Sequence, residues 1–308
     1  MVSLASATGP TRPGLAEVLR VGVVETTLDK DAAWSNGPRM SHGQATRAWA
    51  EVRSGMRSLA GSEAWPEVVL LPELAVPRSR LGGLCEIARG LGSVVIGGLD
   101  YRVDDAVRQV RNQAVVLIPG NWPSRERSHR VSTIVFGKMH PAPAEERGLR
   151  KQGYGFKGDH HAWLFDAGRF GRFGVCICYD FMNVERFVLY KGRVHHLFVL
   201  AYNRDRELFA QLAYALSQTV FCNVVICNTG RYGGSIAVSP FKESWRRTVY
   251  RHEGEGLFTS QIVELPLRDL DRVQRGEAVK LEKGSSHGLK GAFVFKPLPP
   301  GFGQKGPC

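Results

Sequence analysis

Cys178 closes the apolar run Phe173-Gly174-Val175-Cys176-Ile177 and is followed by Tyr179-Asp180 and a helical stretch. A cysteine on a strand-to-helix turn is well seated as a nucleophile. Free backbone N–H groups at such a turn favour the thiolate and can receive an oxyanion. Glu73 ends another apolar run, Val68-Val69-Leu70-Leu71-Pro72-Glu73. Poor solvation there raises a carboxyl's proton affinity toward what a general base needs near neutral pH. Lys138 follows a third run, Val135-Phe136-Gly137, and can offer a fixed positive charge to a developing oxyanion. Glu145 and Glu146 lie in the turn-like stretch Pro141–Arg147, and either could orient Lys138 by a charge-assisted hydrogen bond. Each residue also has a plainer reading: a packed cysteine, an acidic loop residue, a snorkelling lysine. Their common placement, each just past an apolar strand, is what joins them, because ligands gather at strand ends along one edge of an α/β sheet.

The elements that must hold them read as alternating strands and helices. Strands are expected at 19–24, 68–71, 93–97, 112–118, 131–136, 162–165, 172–177, 194–201, 224–228, 235–238 and 258–265. Helices are expected at 44–59, 81–91, 183–191 and 206–221; the first places Ala45, Ala48, Trp49, Val52, Met56 and Leu59 at helical spacing. So many apolar strands exceed one small sheet and point to an α/β class with two packed sheets and helices outside. Residues 1–17 are expected as a loose arm, 18–296 as a single domain and 297–308 as a Pro/Gly-rich tail.

With Leu71-Pro72-Glu73, Lys138-Met-His-Pro141, Glu145 seven residues on, and Gly174-Val-Cys-Ile-Cys178-Tyr-Asp180 in this order, the sequence resembles the carbon–nitrogen hydrolase (nitrilase/amidase) superfamily. Asn228-Thr-Gly230, Gly233-Gly-Ser235 and Gly256-Leu-Phe258 resemble the family's closing region, so the likeness runs from about Val21 to about Leu265. The resemblance implies a four-layer αββα sandwich. It also implies a homodimer joining two sandwiches into eight layers, αββααββα. It assigns Glu73, Lys138 and Cys178 as the catalytic triad and Glu145 as the additional structural glutamate. Tyr179-Asp180 after the cysteine is closer to amidase-type branches than to the Cys-Trp-Glu of true nitrilases.

The expected activity is hydrolysis of a non-peptide carbon–nitrogen bond, amide or carbamoyl-type, through a thioester on Cys178. Lys138 and the Tyr179 backbone N–H would hold the oxyanion. The scheme needs no metal or organic cofactor. Asn203 and Arg204, beyond the strand 194–201, are candidate substrate contacts, with a helix-capping loop as the other reading. Nitrile hydrolysis or acyl transfer on the same triad is the chemical alternative. A catalytically silent basic binding or scaffold protein is the alternative of a different class.

Of 308 residues, 41 are Lys or Arg and 29 Asp or Glu, giving a formal charge of +12. The basic residues are scattered, and their densest groups (125–130, 147–151, 246–251) are short and interrupted, so the charge reads as a solvated surface more than a nucleic-acid stripe. Six cysteines in a chain without an export-type N-terminus are expected to be reduced, in the cytoplasm. Cys176-Ile-Cys178 lacks a second ligand couple, and the doublets His160-His161 and His195-His196 lack metal spacing, so no metal site is expected. No apolar run reaches the ~18–20 residues of a spanning helix. The expected partners are a small amide-type substrate and a second copy of the chain, with no membrane.

Overall fold

The computed structural model describes residues 2–3, 14–277 and 294–302. Most of the expected arm (residues 1 and 4–13) and the end of the expected tail (303–308, with Cys308) lie outside the described residues.

The strands in chain order are β1 (Val2–Ser3), β2 (Val18–Glu25), β3 (Val68–Val76), β4 (Val94–Asp104), β5 (Gln109–Pro119), β6 (Val131–Gly137) and β7 (Gly155–Phe156). They continue with β8 (Leu164–Asp166), β9 (Arg172–Ile177), β10 (His196–Leu200), β11 (Asn223–Cys227), β12 (Ser235–Val238), β13 (Thr248–His252) and β14 (Thr259–Pro266). One sheet runs β14-β2-β3-β4-β5-β6, with β7 paired to β5; the other runs β1-β8-β9-β10-β11-β12-β13. In each, a parallel trio (β2-β3-β4 and β9-β10-β11) sits among antiparallel strands.

Period-two alternation explains the layers. Val68 and Leu70 of β3 face the second sheet and share one core with Phe173, Val175 and Leu197. Val69 and Leu71 face the other way, onto Val52, Met56 and Leu59 of α2 (His42–Ala60) and Leu84, Ala88 and Leu91 of α3 (Leu81–Leu91), with α1 (Lys30–Ala33) preceding them. Both faces of β3 are therefore buried along all nine residues, which is why its first four read as an unbroken apolar run. The second sheet is backed by Phe187 and Tyr190 of α5 (Val184–Tyr190) and Phe209 and Ala213 of α6 (Arg206–Leu216). The architecture is the αββα sandwich. No helix among the described residues is long and apolar enough to cross a membrane.

Three differences from the sequence reading have physical causes. The turn-like stretch at 141–147 is the start of a helix, α4 (Pro143–Lys151). Pro143 occupies its first position, where a missing N–H costs nothing, and only Leu149 is buried, so no apolar period announces it. The helix at 206–221 ends as α6 at Leu216 and continues as one wider turn over Ser217–Phe221. There Phe221 takes φ +59° and joins Phe241, Leu270 and Phe295 in a separate apolar cluster. α7 (Arg268–Gln274) and the half-exposed β13 also carry too little apolar periodicity to be read.

Candidate active site

Two strand ends and one strand bulge converge; β3 does not stop at Leu71 as expected but runs on to Val76, so Glu73 lies within it. β3 bulges out of register with β4 between Leu71 and Val76, and Glu73 lies in that bulge, followed by Leu74 at φ +59°. The neighbouring strand must come close here. A Cβ on Gly98 would lie 2.5 Å from the Glu73 Cα, the Leu74 nitrogen and the Pro72 oxygen, so only glycine fits. Lys138 leaves β6, its backbone N–H donating to the Asn112 carbonyl at 2.8 Å. Cys178 leaves β9 at φ +45°, first residue of a tight turn through Met182. A non-glycine residue in the left-handed region carries strain, and here it directs the thiol off the strand end.

The polar atoms form a closed set. Lys138 Nζ donates to Glu73 Oε1 at 2.8 Å and to Glu145 Oε2 at 2.7 Å. Asn112 Nδ2 donates to Glu73 Oε1 and to Glu145 Oε1, both at 2.8 Å. Tyr101 Oη donates to Glu145 Oε1 at 2.9 Å and the Ala142 N–H to Glu145 Oε2 at 3.1 Å. Glu145 thus accepts four bonds, whereas Lys138 and Asn112 both donate to Oε1 of Glu73, whose side chain also hydrogen-bonds the Cys178 thiol. Glu146 points outward to Arg150 at 2.7 Å, which separates the roles of the adjacent glutamates.

Burial governs the proton affinities. It pushes the Glu73 carboxyl up against the pull of Lys138, with Glu145 adding to the rise. Burial acts on Glu145 in the same sense, but Lys138, Asn112 and Tyr101 together hold it below the usual carboxylate range. Lys138 is desolvated as well, yet the two carboxylates keep it firmly protonated. Burial, then Glu73, hold the Cys178 thiol well above its usual value, opposed by Lys138 and the Tyr202 backbone N–H. The resting set is a neutral thiol beside a carboxylate that readily takes a proton. Glu73, Lys138, Glu145 and Cys178 all line one cavity of about 340 Å³, walled by Trp34, Tyr101, Leu149 and Tyr202 among others.

No family model matches the sequence, and no curated protein matches it. Solved structures do. Saccharomyces cerevisiae Nit3, a member of branch 10 of the nitrilase superfamily, aligns with TM-score 0.60 and 16% identity over 85% of this chain and 95% of that chain. An amidase from Nesterenkonia sp. aligns with TM-score 0.58 and 15% identity over 84% and 94%. XC1258 from Xanthomonas campestris, a CN-hydrolase superfamily protein with an arsenic adduct in its active site, aligns with TM-score 0.58 and 12% identity over 85% and 95%. The chain has the nitrilase-superfamily fold.

Within this nitrilase fold the structure gathers Glu73, Lys138, Glu145 and Cys178, with Tyr179 next in the same turn as the cysteine. It does not bring Asn203 and Arg204 to the cavity. The Asn203 side chain bonds the backbone of Asp205, which caps α6 through the Leu208 N–H. Arg204 Nε donates to Tyr232 Oη at 3.0 Å and lines a neighbouring hollow with Arg206 and Arg231. Their neighbour Tyr202 takes the cavity wall instead, its hydroxyl donating to the Leu28 carbonyl at 2.7 Å and accepting from the Lys30 N–H at 3.1 Å.

Sequence reasoning passed over Asn112, Tyr101 and the part played by Asp180. The fully buried Asp180 carboxylate accepts the N–H groups of Met139 and His140 at 2.8 and 2.9 Å, tying the lysine loop to the nucleophile turn. An aspartate two residues after the cysteine was the available signal for it. Asn112 offered a weaker one, the first of two polar residues before the run Ala114–Ile118. Among the described residues no cluster of three His, Cys, Asp or Glu side chains could hold a metal ion. His195 instead faces Asp271 at 3.1 Å, and His196 stacks on Phe198.

Proposed function

We propose that this protein is an amidase-like carbon–nitrogen hydrolase acting on a small amide or carbamoyl-type substrate through a thioester on Cys178. The observation that carries the reading is the buried Glu73–Lys138–Glu145 set opening on the same cavity as Cys178. Both donors to Glu73 occupy Oε1, which leaves Oε2 as the base atom. Oε2 takes the thiol proton as sulfur attacks the substrate's carbonyl carbon, so no free thiolate accumulates. Lys138 Nζ and the Tyr179 backbone N–H receive the oxyanion, each such donor contributing on the order of 3 kcal/mol in comparable acyl-transfer sites. Collapse breaks the C–N bond, and Glu73 returns its proton to the leaving amine. Water then loses a proton to Glu73 and attacks the thioester, releasing the acid and restoring the thiol. Glu145, with all four acceptor sites filled, holds Lys138 and exchanges no proton.

The reading extends to assembly and setting. The apolar face of α5 (Val184, Val188 and Leu189 at 73%, 69% and 52% exposure) fits a contact between two copies. A cytoplasmic setting suits a thiol that must stay reduced. Ammonia or amine release from a panel of amides, ureides and nitriles tests the activity. Release that survives in Cys178→Ala defeats it.

A further inference from the structure

We infer that Asn112 is a positioning residue that sets the pH range over which Glu73 works, an inference that rests on Glu73 being the base. Asn112 lies fully buried on β5 and touches Glu73, Lys138 and Glu145. Its carbonyl accepts the Lys138 backbone N–H at 2.8 Å, and its Nδ2 bridges Glu73 and Glu145 at 2.8 Å each. Both neighbours of that amide are carboxylate oxygens, so its orientation is fixed. The flipped amide would set Oδ1 against two anions.

One polar atom of this residue is left unsatisfied. Asn112 Oδ1 has no hydrogen-bond partner among the described residues, and an unpartnered buried acceptor costs stability that a leucine of similar size would not. The gain lies in the carboxylates. Two of them share one ammonium, and like charges so placed push each other toward protonation. A neutral double donor relieves both without adding a charge. It also fills Glu73 Oε1 and so turns Oε2 to the thiol. Tyr101 donates to Glu145 and not to Glu73, which makes it the natural comparison.

The test is the rate of Cys178 alkylation by iodoacetamide against pH, resolved from the other cysteines by peptide mass spectrometry. The full-length protein is compared with Asn112→Leu, Asn112→Asp and Tyr101→Phe, and urea unfolding monitors the fold. In the unaltered protein the rate should rise through an acid limb set by Glu73. Removing a donor to the ionised carboxylate raises its proton affinity. Asn112→Leu should therefore move the limb up by about one pH unit, with Tyr101→Phe moving it less. Should the leucine variant not fold, Asn112→Asp keeps the shape and must also move the limb upward. A limb unmoved in folded Asn112 variants overturns the positioning role and leaves Glu73 as base. Absence of the limb in the unaltered protein overturns the base assignment itself, and this inference with it.

Discussion

At the residue scale, one buried cation serves two carboxylates, and the proposed chemistry follows from how unequally they are treated. Glu145 is saturated with donors and held ionised, while Glu73 takes two of its donors on Oε1, has the Cys178 thiol as a further hydrogen-bond partner and has a raised proton affinity. A pKa raised on folding means the carboxylate is lost as pH falls through the raised value. The acid limb of kcat/KM is therefore expected above the ordinary glutamate value of about 4.3, with activity rising as pH rises through it. A pH–rate profile checks this. Glu73→Gln should lower kcat by roughly 100-fold or more, the usual range for losing a general base. Lys138→Met leaves two carboxylates facing each other without a cation. It should cost about 3–5 kcal/mol in urea unfolding, besides activity. Lys138 and Cys178 were legible because each directly follows an apolar strand, and Glu73 because it interrupts an apolar run, although β3 continues past it to Val76. Asn112 and Tyr101 were not, because their role appears only once β4, β5 and α4 are brought together.

At the element scale, the site depends on one strand bulge, one strand-end turn and the tie between that turn and the lysine loop. The β3 bulge needs Gly98, the turn after β9 places Cys178 at positive φ, and Asp180 ties that turn to the lysine loop. Gly98→Ala presses a methyl group into the Glu73 backbone. It should destabilise the fold by about 1–3 kcal/mol and lower kcat, measured by thermal unfolding and turnover together. Asp180→Ala strands two N–H groups and leaves the nearby Arg186, 3.6 Å away, without its carboxylate. It should displace Lys138, lowering kcat far more than it raises KM, with Asp180→Asn milder. Strands β2, β9 and β12 and helices α2 and α3 were readable to within two residues because burial on both faces, or on one stripe, writes a regular pattern, whereas β3 was read only to Leu71 because Pro72 and Glu73 break its apolar run. α4, α7 and β13 bury too few apolar side chains to write one. α4 in particular hides behind Pro141 and Pro143, which look like a turn although the second is a good first residue of a helix.

At the scale of the whole molecule, two sheets back to back with helices outside follow from strands too numerous and too apolar for a single sheet. Which strands pair could not be read, since β8 to β13 are short and their order is set by tertiary packing. Among the described residues several exposed basic side chains are ion-paired, such as Arg39 with Asp105 and Arg150 with Glu146. Self-association through α5 predicts that Val188→Lys shifts the protein to a slower-sedimenting species in analytical ultracentrifugation without altering its unfolding midpoint. The central claim, a thioester on Cys178, is met most directly by mass. Protein quenched in acid during turnover of an amide should carry the acyl group on the Cys178 peptide, and Cys178→Ala should carry none and release no amine. Amine release persisting in the folded Cys178→Ala protein would contradict the account.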